Sequence, residues 1–289
     1  MGGESIINGL SVDVEDWFQV GAFESTIDRA DWDSLACRVE RNTDACLALF
    51  ADAGVKATFF TLGWVAQRHP ALMRRIAEAG HELASHGWDH ARVFTMDAKG
   101  FADDLAKARK AIEDAGGQRV TGYRAPSFSI DARTPWAFEV LAEQGYAYSS
   151  SVAPIAHDHY GWPEAPRFAF RPLVDSPLLE VPVTTAEFGG RRLAAGGGGF
   201  FRVLPYRFTS WAVEQVNRQG HPAVFYFHPW EIDPDQPRVE NAPLRSRLRH
   251  YTNLDAMAGK LARLVRQFAW GRMDSIIAKE AAQALPLAA

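Results

Sequence analysis

Cysteine is almost missing from this 289-residue chain, which has two, Cys37 and Cys46. That excludes a disulfide framework and a cysteine-based zinc cluster. The pair lies nine residues apart in what reads as one helix, hence on different faces, and is expected to be two buried free thiols. No apolar run approaches the ~18 residues of a membrane span. The N-terminal stretch MGGESIINGL lacks a basic segment followed by an apolar run and a small-residue cleavage site, so the chain is expected to be cytoplasmic, with no signal peptide or transmembrane segment. Excess positive charge is missing too: 31 Lys and Arg stand against 35 Asp and Glu, a net charge of −4 with no basic stripe, which argues against nucleic acid as a partner. The glycine run at 196–199 lacks the Lys and Ser or Thr of a phosphate-binding loop. It is expected to be a turn that carries backbone close to a site.

What is present is an alternation of short apolar runs and helical stretches, with 47% hydrophobic residues, enough for one large core. Strands are expected at 6–14, 55–62, 81–85, 120–123, 146–152 and 223–227, with helices at 34–53, up to 80, 97–115, 134–144, 205–219 and 253–267. Four successive β-then-α units predict an α/β fold with a parallel sheet curled as a distorted (β/α) barrel. Prolines 154, 163, 166, 172 and 177 break the pattern, so 153–200 is expected to be a long substrate-covering loop in which only LLEVPVTT is a strand. Residues 233–250 read as a charged loop, and a last strand and helix occupy 268–284. The organisation expected is a single domain, 1–289, with a core at 5–270 and a C-terminal helical tail at 271–289.

The chemistry-bearing residues gather at strand ends. Asp13, Glu15 and Asp16 follow the first strand in SVDVEDWF, and His86 and His90 follow the third in SHGWDH. Arg124 opens RAPSFS after the fourth, and His228 stands in FHPWEI after a late one. In a parallel barrel these ends meet at one face although they lie up to about two hundred residues apart. A carboxylate and two imidazoles with an open position form the ligand set of a catalytic zinc or similar divalent ion.

SVDVED, SHGWDH, RAPSFS and FHPWEI, in that order, resemble the successive motifs of the NodB-type polysaccharide deacetylases, carbohydrate esterase family four, in their allantoinase-like and peptidoglycan-deacetylase-like branch. DVEDWF and the late HYTNL resemble a subgroup found with bacterial exopolysaccharide and exosortase loci. The resemblance runs from about residue 10 to 270 and implies a NodB-homology barrel that removes N-acetyl groups from a glycan with a divalent metal: zinc, or cobalt, nickel or manganese. It implies Asp13 as catalytic base, Arg124 as its brace and His228 as general acid, with His86 and His90 as metal ligands. The carboxylate ligand is Glu15 by spacing or Asp16 by residue type. Ser127, standing where the family has an aromatic residue, would bring a backbone N–H to the oxyanion, and Trp230 and Trp88 would line the substrate pocket. His157 and His159 are expected at the surface or against substrate. No residue matches the family's Asp that orients the late histidine. Two other functions fit the same resemblance: hydrolysis of small amides or ureides, and glycan binding without turnover.

Overall fold

The computed structural model describes residues 6–157 and 160–287, so His159 lies outside the described residues. The expected α/β fold is present. Its strands are β1 (Asn8–Val14), β2 (Thr58–Thr61), β3 (Glu82–Ser85), β4 (Gly122–Tyr123), β5 (Tyr148–Ser149), β6 (Phe170–Arg171), β7 (Leu179–Glu180), β8 (Thr185–Phe188), β9 (Arg191–Ala194), β10 (Val224–Phe227), β11 (Trp270–Gly271) and β12 (Leu285–Pro286). Between them run α1 (Val39–Ala53), α2 (Gly63–Arg68), α3 (Pro70–Glu78), α4 (Ala98–Gly116), α5 (Ala137–Glu143), α6 (Gly198–Val203), α7 (Tyr206–Arg218), α8 (Leu244–Tyr251), α9 (Leu254–Gln267) and α10 (Met273–Ala281). Strands are ordered β10-β1-β2-β3-β4-β5-β7-β6-β12, with β11 against β1, and all pair in parallel except β6 with β7. The sheet is a curled half-barrel whose two ends do not pair among the described residues.

β1 is an interior strand, paired with β10, β11 and β2, and is buried at every position, as a parallel strand covered on both faces must be. Because β1, β3, β4 and β10 point the same way, the residues that follow each of them emerge at one rim. α4 is fixed at both ends: Asp97 accepts from the Gly100 amide at its start, and Gly117, at φ 66°, closes it.

Several sequence expectations are corrected. The stretch 153–200 holds β6 and β7 and a separate antiparallel hairpin, β8–β9, with Thr185 opposite Ala194. Its strands are short and its prolines sit between them, so periodicity had too few residues to register. The stretch 233–250 ends in α8, whose Leu244 and Leu248 are 68% and 60% exposed; an outward apolar face hides a helix from a pattern search. Cys37 precedes α1 and is exposed, whereas Cys46 is buried within it. Among the described residues no helix is long and apolar enough to cross a membrane.

Glu82 shows what burial costs a carboxyl. It accepts from the Thr58 and Tyr148 hydroxyls and the Asp274 amide, yet burial pushes its pKa from 4.5 to about 7. The folded chain therefore keeps this proton between about pH 4.5 and 7 while the unfolded chain loses it, so the stability Glu82 contributes declines across that window as pH rises. Glu82→Gln is expected to remove this slope. Chemical denaturation should show the variant gaining on wild type by on the order of 2 kcal/mol between pH 5 and 7.5, and parallel stability–pH curves would refute the assignment.

Candidate active site

Asp13 is the next-to-last residue of β1, and Arg124 follows β4. The Arg124 guanidinium is fully buried and has a partner for each nitrogen. Nη1 donates to Asp13 Oδ1 and Ser11 Oγ, both at 2.7 Å, Nη2 to Ser150 Oγ at 2.9 Å, and Nε to the Ser150 carbonyl at 3.0 Å. Its planar fork spans β1 and the segment after β5 and lies 4.1 Å over the Phe60 ring.

His86 and His90 sit on an irregular loop after β3, not on a helical turn. Gly87 has φ 74° and His90 φ 64°, a left-handed conformation that a non-glycine residue holds at a cost. The loop is pinned by the Gly63 and Trp64 amides, which donate to the Gly87 and Trp88 carbonyls at 2.9 Å. His86 Nδ1 meets the Arg124 carbonyl at 2.8 Å, which turns Nε2 toward the site. Donor atoms of Glu15, His86 and His90 lie within 4.8 Å of one another, all three residues buried.

This triad has the chemistry of a metal centre. Glu15 Oε2 is buried and makes no hydrogen bond, although His90 Nε2 is 3.0 Å away. Burial lowers His86 to about 4 and His90 well below the usual imidazole range, so both rings are neutral and present lone pairs. Asp16 is used differently: its carboxylate accepts from the backbone amides of Trp17 at 2.8 Å, Arg38 at 2.6 Å and Val39 at 3.0 Å, tying the β1 loop to the start of α1. The structure therefore groups Glu15, and not Asp16, with the two histidines.

His228 follows β10, with Nε2 3.4 Å from Glu15 Oε1 and Nδ1 3.1 Å from Glu231 Oε2. Glu231, three residues on, is the carboxylate partner that the sequence search missed, since an Asp was sought and the spacing in HPWE was open to a Glu. It also accepts from the His228 amide and from Arg202 Nε at 2.8 Å. Burial disfavours the His228 cation, but Glu15 and Glu231 prevail and hold its pKa up at about 9. Burial likewise works against the Glu231 carboxylate, and Arg202 and His228 outweigh it, to about 2. Gly198 packs directly on this pair: a Cβ there would lie 2.1 Å from Glu231 Oε2. The glycine run is thus a close approach of α6 to the site, as its sequence suggested, but at the start of a helix.

Trp230 stacks between His228 and His250, with ring centroids at 5.2 and 4.1 Å, and its indole N–H points to Glu15 Oε1 at 3.3 Å. These groups meet in a cavity of about 420 Å³, also lined by Ser127, Phe128, Tyr160, Tyr226 and a set of arginines. Ser127 and Phe128 have φ 55° and 49°, two adjacent left-handed residues at the cavity wall. Trp88 does not line it; its ring packs under Lys107, 3.5 Å away, and its amide donates to Asp104 at 3.2 Å. Of the expected covering loop, Tyr160 and Gly199 reach the cavity, while Val20, Gly21, Ala22 and α8 supply the rest of the cover. His157 stacks on Tyr160 at 4.2 Å.

Residues 25–149 match the family model "Polysaccharide deacetylase", and residues 150–278 match a domain of unknown function, DUF3473. A peptidoglycan deacetylase of Helicobacter pylori is 34% identical over 106 residues, 37% of this chain and 35% of that protein. A chitooligosaccharide deacetylase of Rhizobium leguminosarum bv. trifolii is 29% identical over 147 residues, 51% of this chain and 61% of that protein. The chain thus spans only part of the curated relatives it matches. The crystal structure of a putative polysaccharide deacetylase from Mycobacterium smegmatis superposes with a TM-score of 0.60 at 20% identity, over 100% of this chain and 98% of that one, a likeness of fold. Over residues 25–149 the chain is thus similar to the polysaccharide deacetylases, and its fold is that of the Mycobacterium smegmatis protein.

Proposed function

We propose that this chain is a metal-dependent hydrolase that removes N-acetyl groups from an N-acetylated sugar of a bacterial exopolysaccharide or its precursor. The observation that carries this reading is the meeting, in one cavity, of a braced carboxylate, a three-donor cluster and a carboxylate-paired imidazole. Glu15, His86 and His90 would hold the ion, which when bound polarises the acetamide carbonyl and acidifies water. Asp13, anchored through Oδ1 by Arg124, takes the proton of the attacking water on its other oxygen. A backbone N–H near Ser127 receives the oxyanion. His228, its ring turned by Glu231, gives a proton to the departing nitrogen as the C–N bond breaks, releasing acetate and a free amine. An amide needs both groups, because its carbonyl is a poor electrophile and an unprotonated amine anion a poor leaving group. Aromatic faces of Phe128, Tyr160 and Trp230 line the same cavity and suit the apolar side of a sugar ring. A glycan-binding role without turnover would require a weakened metal site, and the compact Glu15, His86 and His90 cluster speaks against it.

Purified protein is expected to carry close to one equivalent of zinc or a similar ion by plasma mass spectrometry and to release acetate from N-acetylated oligosaccharides. His86→Ala should lose both. A wild-type site that stays empty after reconstitution, with no acetate released, would sink the enzyme.

The two candidate carboxylate ligands separate cleanly. Glu15→Ala is expected to lose the metal and keep the melting temperature of metal-free wild type, whereas Asp16→Asn should keep the metal and lose about 1–2 kcal/mol of stability, because a weaker acceptor then faces the three backbone amides. The reverse pattern would reassign the ligand.

Glu231→Gln is expected to lower kcat by about 10- to 100-fold with metal content unchanged. An unaltered kcat would remove Glu231 from the proton path.

A further inference from the structure

The late stretch HYTNL, residues 250–254, takes no part in the proton path, yet its first residue lines the cavity. Its side chains work as a clasp. The Tyr251 hydroxyl donates to the Pro237 carbonyl at 3.2 Å and accepts from the Val239 amide at 2.9 Å. Asn253, left-handed at φ 55°, donates from Nδ2 to the Arg202 carbonyl at 3.1 Å. His250 is 2% exposed and meets Gln236 and Trp230. Gln236 donates from Nε2 to the Trp230 and Asp233 carbonyls, both at 2.9 Å, so its amide oxygen is turned to His250 Nε2, 2.6 Å away. That nitrogen therefore carries the proton. Burial keeps the ring neutral, and Nδ1 has no partner. The ring lies flat on Trp230, centroids 4.1 Å apart and planes 14° apart, and Phe23 backs it at 4.5 Å.

On its other face Trp230 stacks on His228, 5.2 Å away with planes 18° apart, so the indole is held from both sides and its N–H meets Glu15 Oε1 at 3.3 Å. The two oxygens of Glu15 consequently differ. Oε1 is approached by Trp230 and, at 3.4 Å, by His228 Nε2; Oε2 makes no hydrogen bond and lies 3.0 Å from His90 Nε2. A glutamate side chain has several rotatable bonds, and an unrestrained carboxylate can turn either oxygen, or both, toward an ion. We infer that His250 and Trp230 are positioning residues for the metal ligand Glu15: His250 sets the plane of the indole, and the indole N–H occupies Oε1, so that Oε2 alone is presented beside His86 and His90. The inference rests on the metal-dependent reading of the site and deepens it, by giving a stretch outside the deacetylase-like motifs a hold on the metal cluster. Groups that orient a ligand in this way tune how tightly the ion is held.

Two measurements on the full chain test this. In the first, the indole N–H signals of nitrogen-15-labelled protein are compared without metal; the chain has nine tryptophans, and the signal missing in Trp230→Phe is that of Trp230. It is expected to move upfield in Glu15→Gln, where a neutral amide replaces the charged acceptor, and to shift in His250→Ala. In the second, zinc is titrated into metal-stripped protein against a chelating dye, with the melting temperature of the metal-free protein recorded beside it. Trp230→Phe keeps a ring and removes the N–H, and His250→Ala removes the stack; each should bind zinc about 10- to 100-fold more weakly than wild type. His250→Phe also lacks the bond to Gln236 but restores a stacked ring, and should recover most of the loss. Unchanged zinc affinity in Trp230→Phe, whatever its melting temperature, would overturn the inference, and acetate release by wild type in the same experiment would leave the deacetylase intact. Weaker zinc binding in Trp230→Phe and His250→Ala, recovered in His250→Phe, in a protein that releases acetate from no N-acetylated glycan, would do the opposite, retaining the positioning role and removing the deacetylase.

Discussion

The Arg124 guanidinium, with no exposed surface and four hydrogen bonds to Ser11, Asp13 and Ser150, is the contact on which the cavity rim depends. Taking a guanidinium out of water is expensive unless every donor is matched, and removing one partner of such a pair typically costs about 3–5 kcal/mol. Here the matching groups come from β1 and from the chain after β5, so the charge can be satisfied only when those segments sit in their native register. Once they do, the Arg124 carbonyl is in place to hold His86 Nδ1. Asp13 and His86 are thus aligned by one residue.

A second buried ion pair performs the same service on the other side of the cavity. Arg202 on α6 holds Glu231, Glu231 holds His228, and the remaining Arg202 donors fix the end of α8. The approach is so close that Gly198 admits no side chain. Between the two pairs lie the strained residues His90, Ser127 and Phe128, whose left-handed backbones are kept only because the surroundings over-determine them. The rim is stiff around these two pairs and becomes charged and exposed at α8.

Much of this was readable in the chain. The order of β-then-α units and the strand-end positions of Asp13, His86, Arg124 and His228 follow from periodicity and residue type, which are local properties. Less legible were the short strands and the hairpin within 153–200 and the helix α8, because strands of two residues and a helix with outward leucines carry no periodic signal. Trp88 looked like a pocket wall through its place in SHGWDH, but the backbone twist at Gly87 sends its ring under Lys107 instead.

What the sequence determined by itself is the class of fold and the kinds of group available at the sheet's C-terminal rim, since alternating apolar patterns dictate a parallel sheet and a parallel sheet collects its strand ends. What only the tertiary structure decided is how neighbouring, chemically similar groups divide their duties. Glu15 and Asp16 are adjacent carboxylates, yet one turns to two neutral imidazoles and the other to the first amides of α1. Glu231, silent in sequence, becomes the partner of His228, and arginines of a solvent-facing helix become a cavity wall. These outcomes depend on which backbone amides, cations and rings arrive from distant segments, and burial makes each of those arrivals worth several kcal/mol or nothing.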